Sequence, residues 1–285
     1  MGAVTVPLID AHHHVWDLSV RDQEWITGPE LAPIRRDFAL DDLAPHARAA
    51  GVDGTVLVQT VTVAEETPEL LALAEGSTLV AGVVGWTDLT APDVAEALAR
   101  LRQLPGGERL VGIRHQVQGE PDPEWLLRPE VHRGLSAVAA AGLAYDLVVL
   151  PHQLDTCLRA AAAHPQLTFV LDHLGKPPIA SGAHDPWAVR LAAFAALPNT
   201  VAKLSGLVTE ADHAGWTPEA LRPYVDTALT AFGPDRLMFG SDWPVCTLAA
   251  TYAQVLDTAR ELTRHLDEGE RAQVFAGTAS RVYRL

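Results

Sequence analysis

The chain has 285 residues, the length of two average domains or of one α/β barrel, and its 48% hydrophobic and 20% charged residues exclude a disordered chain. Against 21 Lys+Arg stand 36 Asp+Glu, a formal charge of −15 that repels phosphate backbones and anionic lipid surfaces, so neither nucleic acid nor membrane is an expected partner. Cys157 and Cys246 lie far apart without CxxC or Cys/His finger spacing, which argues against a disulfide framework or structural zinc and for a reducing cytoplasm.

The opening residues, MGAVTVPLID, carry no basic region and no apolar run, so no export signal is expected. The first predicted strand covers residues 6–11 and leads into His12-His13-His14. Residues 17–36, rich in Trp, Pro and polar groups, then read as a long loop of the kind barrels use for substrate contacts. A helix is expected over 40–51, and a strand over 54–60 carries Gln59 near its end. A helix over 65–76 leads to a strand over 79–86 that ends in Trp86. After a helix over 92–104, the strand over 110–117 bears Arg114 and His115. Helices over 129–142 and 151–164 flank a strand over 143–150 with Asp146 inside it, and the strand over 167–173 closes on Asp172 and His173. A helix over 185–197 precedes a strand over 200–207 with Lys203 and Ser205. Thr217-Pro218 then caps a helix over 217–233, the strand over 236–242 ends in Ser241-Asp242, and a last helix covers 248–266. Gly51, Gly76, Gly142 and Gly233 stand where left-handed helix caps would be.

The strands are nearly continuous in hydrophobicity rather than alternating, as parallel strands covered on both faces are. Eight strand-helix alternations without a composition break predict a single (β/α)₈ TIM-type barrel domain over residues 1–285. Neither GxGxxG nor GxxxxGK[ST] follows a strand, which argues against dinucleotide and P-loop folds.

A barrel enzyme builds its site where strands end, so the polar groups there are the candidates. Side-chain alternation sends His12 and His14 to one face and His13 to the other. Two imidazoles spaced this way share one cation or position one substrate carbonyl. Asp242, shielded by Trp243-Pro244, suits a general base, a metal ligand or both. Arg114 either polarises a carbonyl or closes an ion pair on the rim. Lys203, a charge inside an apolar strand, is either paired internally or turned to substrate, and Asp146 reads as a structural hydrogen-bonding group.

The motifs IDAHHHVWD, VGIRH, FVLDHLGKPPI, KLSGLVTEA and FGSDWPVC together resemble the L-fuconolactonase-like lactonases of the amidohydrolase superfamily, from Ile9 to Tyr283. The resemblance implies an amidohydrolase-like barrel that hydrolyses a carboxylic ester bond in a lactone. By position it makes His12 and His14 the family's HxH pair, His173 its strand-six histidine, Asp242 its general base and Arg114 its strand-four arginine. The wider superfamily places a bridging lysine or another histidine on strand four or five. Here Arg114-His115 and Tyr145-Asp146 stand there, so a two-metal site is not expected. One divalent ion, zinc, held by His12, His14, His173 and Asp242 is one expectation; metal-independent hydrolysis is the other.

The expected mechanism has Asp242 take a proton from water attacking the lactone carbonyl, while His173, Arg114 and the His12/His14 pair stabilise the oxyanion. Trp16, Trp25, Gln59, Trp86, His115 and Lys203 are the expected substrate contacts. Aromatic rings with mostly uncharged polar groups suit a sugar lactone of carbohydrate metabolism, such as L-fuconolactone or L-rhamnonolactone, better than a dicarboxylate, which calls for several arginines. The alternatives are a metal-dependent decarboxylase or amide hydrolase on the same barrel, and an inactive barrel that only binds a ligand or metal. A homo-oligomer is compatible with the chain.

Overall fold

A computed structural model describes residues 7–285, and the expectations placed on residues 1–6, including the start of the first strand at Val6, lie outside it. Eight parallel strands run in sequence order: β1 Ile9–His13, β2 Gly54–Val58, β3 Val80–Gly85, β4 Leu110–His115, β5 Ala144–Leu147, β6 Phe169–Leu171, β7 Thr200–Leu204 and β8 Leu237–Phe239. They form a nearly closed barrel. β1 and β8 meet through the pair His13–Trp243, with Asp242 N donating to His12 O at 2.8 Å and His14 N donating to Trp243 O at 2.7 Å. The seam therefore joins the segments that carry His12, His14 and Asp242.

The first helical turn, α1 Gly28–Leu31, lies in the long loop, followed by α2 Leu40–Ala50, α3 Glu66–Glu75, α4 Val94–Arg102 and α5 Pro129–Ala140. Then come α6 Leu154–Ala163, α7 Asp185–Ala195, α8 Pro218–Phe232 and α9 Tyr252–Leu262. Apart from α1, each answers to a predicted helix. Thr217 caps α8 by accepting from Ala220 N, with Pro218 at the first helical position, as expected from its sequence. Gly51 and Gly142 adopt positive φ, whereas Gly76 sits at φ −78° in an ordinary right-handed conformation. The last predicted helix starts later than expected, at Tyr252, because Thr251 and Gln254 form a capping box there.

Beyond residue 266 the sequence predicts no further helix. Two short helices, α10 Glu268–Ala272 and α11 Thr278–Tyr283, follow, joined by a π-helical turn over Gln273–Gly277. They pack Ala276, Ala279 and Tyr283 against Ile9, Ala11, Val56, Val58, Val84, Ala144, Val170, Val201 and Met238, the inward-facing side chains of the strands. This segment therefore closes the floor of the barrel. The larger apolar layer lies between strands and outer helices. Among the described residues no helix is long and apolar enough to cross a membrane.

Candidate functional site

Register explains how the histidine triplet divides. The pairing of β1 with β2 shifts between Asp10 and His13, so Ala11 and His12 both reach the barrel interior. His13 faces outward, where its Nε2 lies 2.9 Å from Thr55 Oγ1, and burial pushes its pKa down to about 3. His14 returns to the mouth, its Nδ1 lying 2.7 Å from Val58 O.

Three further strand ends converge on this point. Asp242 Oδ1 lies 3.7 Å from both His12 Nε2 and His14 Nε2, and 3.8 Å from His173 Nε2. Asp242 and His173 are only 3% and 5% exposed and hold φ of 58° and 54°, left-handed conformations that non-glycine residues rarely adopt. Surrounding structure enforces that backbone. Asp242 N is tied to His12 O, and His173 Nδ1 lies 2.9 Å from Ser205 Oγ. A Cβ on Gly206 would come within 2.5 Å of the His173 ring, so only glycine leaves the imidazole its place.

The charges follow from these neighbours. Burial would raise the Asp242 carboxyl, but His173, His14 and Lys176 outweigh it and hold its pKa below the usual value. Burial pushes His173 down to about 4 and, with Lys203, holds His12 well below the ordinary imidazole range. At neutral pH Asp242 is thus a carboxylate beside the neutral rings of His12 and His173. Arg114 is fixed by Asp172, with NH1 donating to Oδ2 at 3.0 Å, and by Gln59, whose backbone and side-chain oxygens both accept from NH2. Its Nε has no partner among the described residues.

Above this cluster, which forms the pocket floor, opens a pocket lined by His14, Trp25, Thr60, Arg114, Gln116, Gln118, Val148, His173, Lys176, Thr209, Glu210, Asp242 and Val245. Lys176 lies 3.6 Å from Glu210, whose carboxyl is raised by burial against the pull of that lysine. Of the sequence-predicted residues, Asp242, His173, Arg114, His14 and Trp25 line the pocket. Trp16 stands behind, packed edge-to-face on Trp25 at 5.7 Å and bonded through Nε1 to Arg36 O. Gln59 serves Arg114. Trp86 donates to His115 Nδ1, and His115 is further held by Glu120 and stacked on Trp125, so this pair lies outside the pocket lining. Lys203 is fully buried below the floor, against Asp146 and Asp172.

Thr60, Gln116, Gln118 and Thr209 were missed because loop amides and hydroxyls carry no periodic signal. Their proximity to strand ends was the only clue.

The donor set fits a metal ion. Nitrogens of His12 and His173 and one Asp242 oxygen all lie within 4.8 Å of one another, and the second ring nitrogen of His173 is already engaged by Ser205. His14 stands beside this trio, its Nε2 3.1 Å from His12 Nε2.

The chain belongs to the amidohydrolase family, whose profile matches residues 9–285. It is 40% identical over 283 residues to the L-fucono-1,5-lactonase of Burkholderia ambifaria, covering 97% of this chain and 95% of that protein. It is also 40% identical over 296 residues to the L-fucono-1,5-lactonase of Burkholderia multivorans, covering 100% and 97%. An amidohydrolase from Burkholderia multivorans, solved with bound zinc, superposes with a TM-score of 0.93 at 39% identity, covering 98% of this chain and 99% of that one.

Proposed function

We propose that this protein is a sugar lactonase that opens L-fucono-1,5-lactone or a closely related lactone to the hydroxy acid. The observation that carries the reading is the ionised Asp242 at the pocket floor, within 3.8 Å of three imidazoles. Water placed against Asp242 loses a proton to the carboxylate as its oxygen bonds to the lactone carbonyl carbon. Arg114, His14 and His173 face the oxygen on which negative charge develops. When the intermediate collapses, the bond to the ring oxygen breaks and Asp242 returns the proton to that oxygen, leaving the carboxylic acid and a free hydroxyl.

The pocket favours an uncharged ring. Arg114 is occupied by Asp172 and Gln59, and Lys176 faces Glu210, so no bidentate clamp for substrate carboxylates is on offer. Gln116, Gln118, Thr60 and Thr209 provide neutral hydrogen-bonding groups, and Trp25 an apolar wall.

A divalent ion, zinc by the family's example, would be held by His12, His173 and Asp242 and would act as a Lewis acid on the lactone carbonyl. The buried, free thiols of Cys157 and Cys246 support a reducing compartment, the cytoplasm. The test is a lactone panel followed with a pH indicator, metal content being determined on the same sample. Rapid hydrolysis of L-fucono- or L-rhamnono-lactone, with little on a pyrone dicarboxylate, is expected. Comparable rates on both classes would overturn the substrate assignment.

A further inference from the structure

One wall of the pocket carries two opposite charges that the attack of water does not use. Lys176 Nζ lies 3.6 Å from Glu210 Oε1, and both side chains line the pocket, 23% and 26% exposed. At that distance the charges attract without a hydrogen bond, and neither side chain hydrogen-bonds to any other described residue. The ammonium therefore keeps three N–H donors, and the carboxyl its acceptor oxygens, for whatever the pocket holds.

The backbone aims both side chains. His173, Leu174, Gly175 and Lys176 have φ of 54°, 52°, 69° and 54°, a left-handed run that only the glycine adopts without strain. The run continues three residues beyond His173, so the placing of that imidazole does not account for it. Lys176 N donates to His173 O at 2.9 Å and Trp187 Nε1 donates to Leu174 O at 2.8 Å, which fixes the turn. On the facing side, Thr209 Oγ1 donates to Gly206 O at 2.7 Å, and Ala180 N donates to Glu210 O at 3.0 Å, tying the loop after β7 to the loop after β6. An ion pair on an open surface contributes little and needs no such backbone. Strain of this kind gathers where side chains must be held toward a ligand.

A hydroxyl group both donates and accepts, so two hydroxyls on adjacent ring carbons match the pair. One accepts from Lys176 Nζ while its neighbour donates to Glu210. A substrate carboxylate fits worse, because Glu210 neutralises Lys176 and repels a second anion. We propose that Lys176 and Glu210 are specificity-determining residues that together read two neighbouring hydroxyls of the substrate ring, and so select polyhydroxylated lactones over bare lactone rings. The inference rests on the lactonase reading for the ring that carries the hydroxyls. Binding tests it apart from turnover.

The test compares, by calorimetry on the full chain, two hydrolysis-resistant lactams: the 1,5-lactam of L-fuconic acid and 6-methyl-2-piperidone, the same methylated ring without hydroxyls. Uncharged ligands are chosen because Lys176 also helps to hold Asp242 ionised, and turnover would mix the two effects. Wild type is expected to bind the hydroxylated lactam about a hundredfold more tightly than the bare one. Lys176→Met and Glu210→Met should each weaken the hydroxylated lactam by about tenfold or more and leave the bare lactam within about twofold. A wild type that binds the hydroxylated lactam no more tightly than the bare one overturns the proposal whether or not the variants fold. So does a folded variant that binds the hydroxylated lactam as wild type does, or that loses affinity for both lactams equally. Hydrolysis of L-fucono-1,5-lactone by wild type is followed in parallel; its absence would refute the lactonase reading and leave the binding comparison standing.

Discussion

The two ends of the barrel are built on opposite terms. At the mouth, Asp242 and His173 hold left-handed backbone, polar groups converge within 4 Å, and a pocket opens above them. At the opposite end, the strands' aliphatic side chains meet Ala276, Ala279 and Tyr283 in an apolar cluster. Conformational strain and concentrated charge lower stability, and a barrel tolerates them at one end because the other end is packed without them. Lys203, Asp146 and Asp172 mark the boundary, paired as the floor requires yet touching a histidine of the mouth.

The mouth depends most on Asp242. Asp242→Asn keeps shape and volume but removes the base, so kcat should fall by about a hundredfold or more with the thermal melt little changed. A variant retaining more than about a hundredth of wild-type turnover would remove Asp242 from the mechanism. Next comes the triplet. His14→Asn should lower kcat by about tenfold, whereas His13→Gln should leave kcat/KM within about twofold of wild type and lower the melting temperature instead.

His13 also sets a pH dependence. Its folded pKa of about 3 lies below the 6.5 of a free imidazole, so between those values the unfolded chain binds the proton first and folding is opposed. The stability difference between wild type and His13→Gln should be full above pH 6.5 and shrink as pH falls toward 3, by up to about 1.4 kcal/mol per pH unit. Denaturant titrations at pH 7.5, 6 and 5 would read it; a difference that widens on acidification would contradict the assignment.

At the floor, Tyr283→Phe withdraws one hydrogen bond from the buried Asp146 and should destabilise by about 1–2 kcal/mol, with kcat near wild type. The smallest effect is expected at Trp86, which bonds His115 away from the pocket lining. Trp86→Phe should leave KM for the lactone within about twofold, and a larger rise would return Trp86 to the substrate contacts.

All eight strands and the helices between them were legible because long apolar runs and amphipathic stretches repeat over the chain. The short helices α10 and α11, interrupted by a π-helical turn, are too brief to show a period, which hid the floor from the sequence. Asp242, His173, Arg114 and the His12/His14 pair were legible from their strand-end positions and their motifs. Trp16 and Trp86 resembled Trp25 in every respect a sequence displays. Only the chain's path shows that Trp25 reaches the pocket while Trp16 supports it from behind and Trp86 turns to His115.

The sequence by itself determined the barrel and the chemistry available at its mouth, because hydrophobic periodicity and residue type are local properties. The tertiary structure decided which charges are spent on one another. Whether Lys203 faces substrate or Asp146 and Asp172 depends on residues brought together from β5, the end of β6 and β7. No local pattern encodes such distances; they exist only once the barrel has closed.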